Sequence, residues 1–155
     1  MKNLGLMIVA LCFLSVSTQA QKKQAKTATL VVPEVVDASF ATHYADVTEK
    51  NWTKNFRGNY VAHFSDTVNK ATLISEFNKE GIMINRTTNY DVADRVVPEN
   101  IQLALQAEPD YADLQVESVT KIEIEGVAPY FTVKGVNAQN KKKTLYISEE
   151  GMITE

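Results

Sequence analysis

The sequence predicts an α+β fold in which two tandem helix-plus-antiparallel-strand repeats form one curved antiparallel sheet with the helices on one face. Three observations lead to this prediction. Segments of the first half recur in order in the second half, each half opens with a proline-initiated amphipathic helix, and the rest alternates between apolar and polar residues with glycine turns between the runs.

The recurring segments indicate an internal duplication. They keep nearly constant offsets, with about five extra residues in the second copy. The matches are 31–34 (VVPE) with 96–99, 58–61 (GNYV) with 128–131 (APYF), and 77–83 (FNKEGIM) with 147–153 (ISEEGMI). We therefore expect repeat 1 at 30–91 and repeat 2 at 92–155, sharing one domain.

Each repeat begins with a short helix. Pro33 and Pro98 suit a first helical position, where the missing N–H is not needed, and a glutamate follows each proline in the first turn, where the helix dipole favours acids. Apolar residues at i, i+4 spacing form one stripe per helix: Val32, Val36 and Phe40, then Val97, Ile101 and Leu105. The helices should end near 43–44 and 108–109, since Pro109 cannot continue a helix.

The remaining segments read as strands joined by short connections, which favours antiparallel hairpins. The expected strands are 47–56, 60–65, 71–77 and 82–90 in the first repeat, and 114–124, 130–136, 143–148 and 152–153 in the second. Alternation places Tyr60, Ala62 and Phe64 on one side of their strand, so one face of the sheet should receive the helices. The other face should meet solvent or a partner.

Residues 1–20 read as a secretory signal. Lys2 precedes an uncharged apolar run at 4–16, and Thr18 and Ala20 occupy the −3 and −1 positions of a cleavage site after Ala20. The alternatives are a membrane anchor, for which the run is shorter than the roughly 20 residues needed, and a lipoprotein modified at Cys12. That cysteine follows a leucine rather than a small residue, so cleavage is the preferred interpretation.

Cleavage would leave 135 of the 155 residues, and loss of Lys2 changes the formal charge from −3 to −4. No cysteine would remain, so we expect a periplasmic or secreted domain that relies on its hydrophobic core. Residues 21–29 (QKKQAKTAT) read as a flexible tether. No other run is apolar enough for stable membrane insertion after cleavage, and the mild charge argues against nucleic-acid binding.

Four of these motifs resemble the PepSY-like, beta-lactamase-inhibitor-like family of small secreted or periplasmic proteins, frequent in Bacteroidetes-type bacteria. They are the helix start at 32–34 (VPE), the 47–52 segment (VTEKNW) ending in Trp52, the hairpin at 58–60 (GNY) and the turn at 77–81 (FNKEG). The resemblance extends over 30–155. It implies a tandem fold in which both repeats join one curved sheet.

The second repeat departs from this pattern. Val119 takes the place of Trp52, and 120–122 lengthen the strand. The mature chain also lacks the disulfides of the secreted beta-lactamase inhibitor proteins. The resemblance therefore implies the fold rather than inhibition of a lactamase.

Motifs that carry catalytic chemistry are missing from the sequence. It has no glycine-rich phosphate loop, no Gly-x-Ser-x-Gly elbow and no paired-histidine helix. His43 and His63 stand outside any motif, and the carboxylates are scattered, with Glu123 and Glu125 expected to share one strand face. We predict no catalytic residue, no metal site and no cofactor, and hence no enzyme.

The residues expected to bind a partner come from strand parity and aromatic character. If Phe64, Phe77 and Ile147 point into the core, their neighbours on the other parity face outward. Trp52 either packs beneath the first helix or anchors a partner, because tryptophan is frequent at interface hot spots. The candidates are Trp52, Phe56, Tyr60, Val61, His63, Ile74 and Tyr146.

We therefore predict a non-enzymatic periplasmic or secreted protein-binding module, for instance an inhibitor or regulator of an exported enzyme. The alternative is a small-ligand or metal-ion binder that uses the concave sheet face, and a small hydrolase comes third. The sequence names neither the partner nor the oligomeric state.

Three short motifs suggest modification. The sequence Asp66-Thr67-Val68 resembles the Asp-Thr-aliphatic acceptor of Bacteroidetes-type periplasmic O-glycosylation. The sequons beginning at Asn51 and Asn85 matter only in a host that glycosylates asparagine.

Overall fold

A computed structural model describes residues 30–94 and 96–155 of the chain. The expected signal peptide with its cleavage site at Ala20, and the expected tether, lie outside these residues. They stay predictions.

Two helices and eight strands follow one another along the described chain. In order they are α1 (Glu34–His43), β1 (Asn51–Lys54), β2 (Tyr60–Asp66), β3 (Ala71–Phe77), β4 (Met83–Tyr90), α2 (Glu99–Ala107), β5 (Gln115–Ile124), β6 (Tyr130–Val136), β7 (Lys142–Ser148) and β8 (Ile153–Thr154). All eight strands form one sheet in chain order, and every neighbouring pair is antiparallel. The predicted α+β class with one antiparallel sheet is confirmed.

The helices start one residue later than the sequence suggested. Pro33 and Pro98 are N-caps in extended conformation, and their carbonyls accept the first helical hydrogen bonds, at 3.0–3.1 Å. Proline fits this position because its fixed φ allows the extended cap while its absent N–H costs nothing. No helix among the described residues is long and apolar enough to span a bilayer.

The first strand is much shorter than the predicted 47–56. Only Asn51–Lys54 pair with β2, opposite Tyr60–His63, so 47–50 are not part of the sheet. At the other end, the Asn55 N–H donates to the Asn59 carbonyl and turns the chain back. The predicted strand was too long because Val47 and Phe56 continue its apolar pattern, although no residue of β2 pairs with them.

The register divides the sheet into two faces. The helix face contains the alternate residues that pack beneath α1 and α2, and it runs continuously through Leu73, Thr88, Lys121 and Phe131, which pair in that order. The other alternate residues form what we call the open face. Both helices therefore cover the same side of the sheet.

Two hydrophobic cores lie on the helix face, one under each helix. The first contains Val36 and Phe40 of α1 with Tyr60, Ala62, Phe64, Ala71, Leu73 and Phe77. The second contains Ile101, Ala104 and Leu105 of α2 with Val119, Phe131, Val133, Leu145 and Ile147. Tyr90 packs against both, so the cores are joined through the middle of the sheet.

Gly81 holds the β3–β4 turn against α1. Its φ is +82°, and a Cβ built there would lie 2.8 Å from the Val35 carbonyl oxygen. Gly81→Ala is expected to cost about 2–3 kcal/mol in the free energy of unfolding, because it adds a steric clash to the left-handed strain. Gly126→Ala is the control, since Gly126 has φ +76° with open space around it. Urea unfolding should show a distinctly smaller loss there, and equal losses would contradict the role given to the Val35 contact.

Candidate functional site

Two rows of side chains cross the middle of the open face, and we call them the central rows. One row consists of His63, Ile74, Thr87, Ile122, Tyr130 and Ser148. The other consists of Ser65, Thr72, Asn89, Thr120, Thr132, Tyr146 and Thr154. Each row is continuous because each residue pairs directly with the next one on the neighbouring strand.

The central rows contain no aspartate, glutamate, lysine or arginine. Charged residues of the open face lie at its borders, with Glu76 beside one row and Lys134 beside the other. The helix face differs, because Arg86, Lys121 and Glu123 occupy its middle. Depletion of charge with retention of aromatic residues is typical of the centre of a protein–protein interface.

The central rows contain two isoleucines and two tyrosines. Ile74 lies on β3, and Ile122 lies on β5 of the same row. Tyr130 and Tyr146 pack at 6.3 Å between ring centroids, and Tyr146 is 46 % exposed. Tyrosine offers a large apolar surface with a hydroxyl that can still hydrogen-bond, which suits a binding surface.

The β1–β2 hairpin presents an exposed aromatic ring at the edge of the sheet. Phe56 at its tip is 92 % exposed, and the Arg57 guanidinium lies 5.4 Å from its ring centroid. The Asn55 side-chain oxygen accepts hydrogen bonds from the backbone N–H groups of Arg57 and Asn59, both at 3.0 Å. The tip is therefore held in one turn conformation.

Glu76 ties this hairpin to the open face. Its Oε1 accepts hydrogen bonds from the side-chain amides of Asn55 at 2.8 Å and Asn59 at 2.6 Å, and its Oε2 accepts one from Asn85 at 2.9 Å. Burial acts to raise the pKa of the Glu76 carboxyl, but the three amide donors and nearby Arg57 outweigh it, so the pKa is lowered overall. An ionised Glu76 therefore links β1–β2 to β3 and β4.

The lowered pKa of Glu76 predicts a pH-dependent contribution to stability. A group whose folded pKa is depressed stabilises the protein above its unfolded pKa, about 4.3, and loses that effect as the pH falls through the folded value. Wild type should melt higher than Glu76→Gln at pH 7, and the difference should shrink as the pH falls below about 4. Melting curves of both proteins between pH 7 and about pH 3 test this prediction. A difference in melting temperature that stays constant over that range would contradict it.

The sequence-predicted candidates divide between the two faces. Val61, His63, Ile74 and Tyr146 lie on the open face, where parity placed them, and Phe56 lies at its rim.

Trp52 and Tyr60 lie on the helix face. Tyr60 is a buried member of the first core, and Trp52 packs 5.5 Å from the Phe40 ring and 6.0 Å from the Phe77 ring between centroids. Of the two placements left open for Trp52, the structure shows packing beneath α1. Neither residue is available on the open face.

Sequence reasoning missed Ile122, Tyr130 and Thr132, which lie at the centre of the open face. The signal was present, because the parity rule used on the first repeat also applies to 114–124 and 130–136. The Asn55–Asn59–Glu76–Asn85 cluster had no such signal, since its members come from separate strands and turns.

Glu123 and Glu125 do not form a carboxylate pair. The β5 strand ends at Ile124, and Glu125 enters the following turn. Arg86 binds Glu123 through two hydrogen bonds of 2.5 Å, and these bonds are the largest cause of a lowered Glu123 pKa. A carboxylate held this firmly by a guanidinium is a poor proton donor. The Arg86–Glu123 pair lies on the helix face, between the two hydrophobic cores.

The two histidines lie in different parts of the fold. The His63 Nε2 lies 3.2 Å from the Thr53 hydroxyl on the open face, whereas His43 ends α1, 6.3 Å from the Phe77 ring. Residues 30–94 and 96–155 contain no group of three or more His, Cys, Asp or Glu side chains placed to hold a metal ion.

The fold defines the class of the protein, an α+β domain with two helices on one side of a single antiparallel sheet. Several solved proteins from Bacteroides have a similar fold. A BLIP-like protein from Bacteroides fragilis superposes with a TM-score of 0.66 and 19 % identity, covering 83 % of this chain and 87 % of that chain. A DUF2874 family protein from Bacteroides ovatus gives 0.63 and 23 %, covering 81 % and 86 %. A candidate periplasmic protein from Bacteroides eggerthii gives 0.61 and 17 %, covering 81 % and 88 %.

No protein-family model and no curated protein matches the sequence. The structural likeness at these identities establishes a shared fold. The fold expected from the beta-lactamase-inhibitor-like resemblance is thereby supported, and membership of that family and the PepSY-like part stay predictions.

Proposed function

We propose that the chain is a non-enzymatic, exported protein-binding module that holds a folded partner protein against the open face of its sheet. The observation that carries the proposal is the uncharged pair of central rows, which crosses the sheet from β2 to β8 and includes two isoleucines and two tyrosines. A soluble domain normally distributes charge over its exposed faces, so a large uncharged face favours burial by a partner.

The Phe56 hairpin adds an anchor to this surface. A rigid aromatic side chain binds at low entropic cost, and aromatic residues dominate interface hot spots. Because Glu76 fixes the hairpin beside the central rows, one partner could cover both. We therefore expect a partner with an apolar recess opposite Phe56.

We also propose that the two halves are copies of one unit. Equivalent hydrogen bonds support this: the Gly81 N–H donates to the Asn78 carbonyl, and the Gly151 N–H donates to the Ser148 carbonyl, both at the offset of 70. The order of one helix followed by four strands also occurs twice. A duplicated sheet doubles the width of the binding face without a second domain.

Export and regulation of an enzyme are the further parts of the proposal. The sequence supports export through its signal-like leader, and one structural neighbour is described as a candidate periplasmic protein. Another neighbour is described as BLIP-like. By analogy of fold, the partner we favour is an exported enzyme that the module restrains.

Blocking the open face chemically tests the proposal. Cys12 is the one cysteine of the chain and lies in the expected leader, so mature single-cysteine variants can be labelled at chosen sites. A bulky maleimide polymer at Tyr146→Cys should abolish capture of the partner from periplasmic extract. The same polymer at Leu103→Cys, an exposed position on α2, should leave capture intact.

Equal capture by both labelled baits would contradict the proposal. A melting-temperature screen with metal ions and small molecules tests the alternative, since a bound ligand raises apparent stability by mass action. A ligand-induced shift in a protein that captures no partner would favour the small-ligand function instead.

A further inference from the structure

We propose that Thr67 is an O-glycosylation site, presented at the tip of the β2–β3 turn. Its hydroxyl would accept a sugar from an activated glycosyl diphosphate donor through a transferase that recognises Asp66, Thr67 and Val68. The proposal is independent of partner binding on the open face.

The turn holds the acceptor sequence in one conformation. The Asp66 Oδ1 accepts hydrogen bonds from the backbone N–H groups of Val68 at 3.0 Å and Asn69 at 2.9 Å, and Oδ2 accepts one from the Asn69 side chain at 2.7 Å. Lys70 closes the turn with a positive φ of 47° and pairs with Asp94 at 2.7 Å. These hydrogen bonds form an Asx turn, which defines the backbone conformation around Thr67.

Thr67 itself is free to react. It is exposed, and none of the side-chain hydrogen bonds within 30–94 and 96–155 uses its hydroxyl, whereas the Asp66 carboxylate beside it accepts three hydrogen bonds and keeps acceptor capacity for a recognising group. The Asn69 backbone N–H is the main cause of a lowered Asp66 pKa, so the acid stays ionised near neutral pH. The nucleophile and the charged recognition group are thus kept separate.

Val68 gives a second reason to expect modification of Thr67. It is 88 % exposed at the turn tip, although an aliphatic side chain gains nothing from water there. The turn needs no apolar residue at this position, because Asp66 and Lys70 define its geometry. An exposed valine directly after the hydroxyl is instead suited to an apolar subsite of a modifying enzyme.

The two asparagine sequons are poorer acceptors. The Asn85 amide nitrogen already donates to Glu76 at 2.9 Å within a β-strand. Asn51 lies in paired strand β1, next to Trp52, which packs against the first core. Asn51 is exposed, but like Asn85 it belongs to a paired strand, so Thr67 is the only member of the three motifs that lies in a turn.

The reaction is a simple displacement at an anomeric carbon. The Thr67 oxygen forms a bond to that carbon as the bond from carbon to the diphosphate oxygen breaks. The hydroxyl proton passes to a base of the transferase, and the diphosphate leaves with the electron pair. No oxidant or reductant takes part.

A glycan at Thr67 would leave the proposed binding rim accessible. Strand β2 separates the β2–β3 turn from the Phe56 hairpin, and its 7 residues span roughly 20 Å. Modification and partner capture can therefore be measured separately in the same protein.

Intact-mass measurement of the exported chain from a Bacteroides host tests the proposal. Wild type should carry an added sugar mass that maps to the peptide containing Thr67, and Thr67→Ala should lose all of it. Thr67→Ser, which keeps a hydroxyl, should retain the modification. Thr48→Ala removes an exposed hydroxyl outside the acceptor sequence and should leave the added sugar mass unchanged.

Asp66→Asn separates recognition from turn structure, because asparagine also supports an Asx turn. Its occupancy should fall at least tenfold while its circular dichroism spectrum matches wild type. An unmodified wild-type chain, or an added mass that persists in Thr67→Ala, would overturn the proposal. Unchanged occupancy in Asp66→Asn would overturn recognition of the carboxylate.

Discussion

The double substitution Ile74→Glu/Tyr146→Glu is expected to weaken capture of the partner protein at least about 100-fold, or about 2.7 kcal/mol. It places two charges in rows that otherwise hold none, and each would have to lose its water without an opposite charge. Both side chains lie on the open face away from the two cores, so the melting temperature should change by only a few degrees. Titration of the captured partner against immobilised wild type and variant measures the difference.

Val35→Glu/Leu103→Glu is the matched control. It adds the same charge at two exposed apolar side chains, 50 % and 58 % exposed, that lie on α1 and α2. Affinity should stay within about threefold of wild type. If the control lost as much affinity as the open-face variant, net charge rather than position would explain both results.

Phe40→Ala is expected to lower the free energy of unfolding by about 3–5 kcal/mol. Phe40 is almost fully buried under α1, and its ring packs against Tyr44, Trp52, Phe64 and Phe77 at 4.9–6.2 Å between centroids. Truncation would leave a cavity that rigid aromatic neighbours cannot close. Urea unfolding measures this loss, which is a large part of the 5–15 kcal/mol typical of a domain.

Phe56→Ala makes the same chemical change at an exposed site. Because Phe56 is 92 % exposed beside Arg57 at the hairpin tip, its removal should alter the free energy of unfolding by less than about 0.5 kcal/mol. Similar losses in the two variants would show that the α1 core is not the main source of stability in the first half.

Sequence periodicity predicted best where a strand has paired neighbours on both sides. The bounds of β3 and β6 match the expected 71–77 and 130–136, because each strand alternates regularly between a core face and the open face. The helix stripes were also predicted well, with Val36, Phe40, Ile101 and Leu105 all buried. In these strands and helices, the apolar residues of the sequence pattern are the residues that the fold buries.

Periodicity failed where long-range pairing decides. The segment 47–56 looks like a strand throughout, but only four of its residues find a partner on β2. Local pattern cannot show where an edge strand leaves the sheet.

The candidate surface was predicted in part. Strand parity alone placed Val61, His63, Ile74 and Tyr146 on one face. This prediction requires only that the core residues of each strand be recognised. Aromatic character alone was a weaker guide, because it also selected Trp52 and Tyr60, which pack in the first core. The Glu76 cluster depends on amides brought together by folding and leaves no periodic trace.

Hydroxyl-radical labelling of the protein alone and in complex with its captured partner tests the binding surface most directly. The account predicts that Tyr130, Tyr146, His63 and Phe56 become protected in the complex, while Val35 on α1 and Leu103 on α2 keep their labelling. Protection of Val35 and Leu103 with unchanged labelling of Tyr146 and Phe56 would contradict the open face as the site of binding.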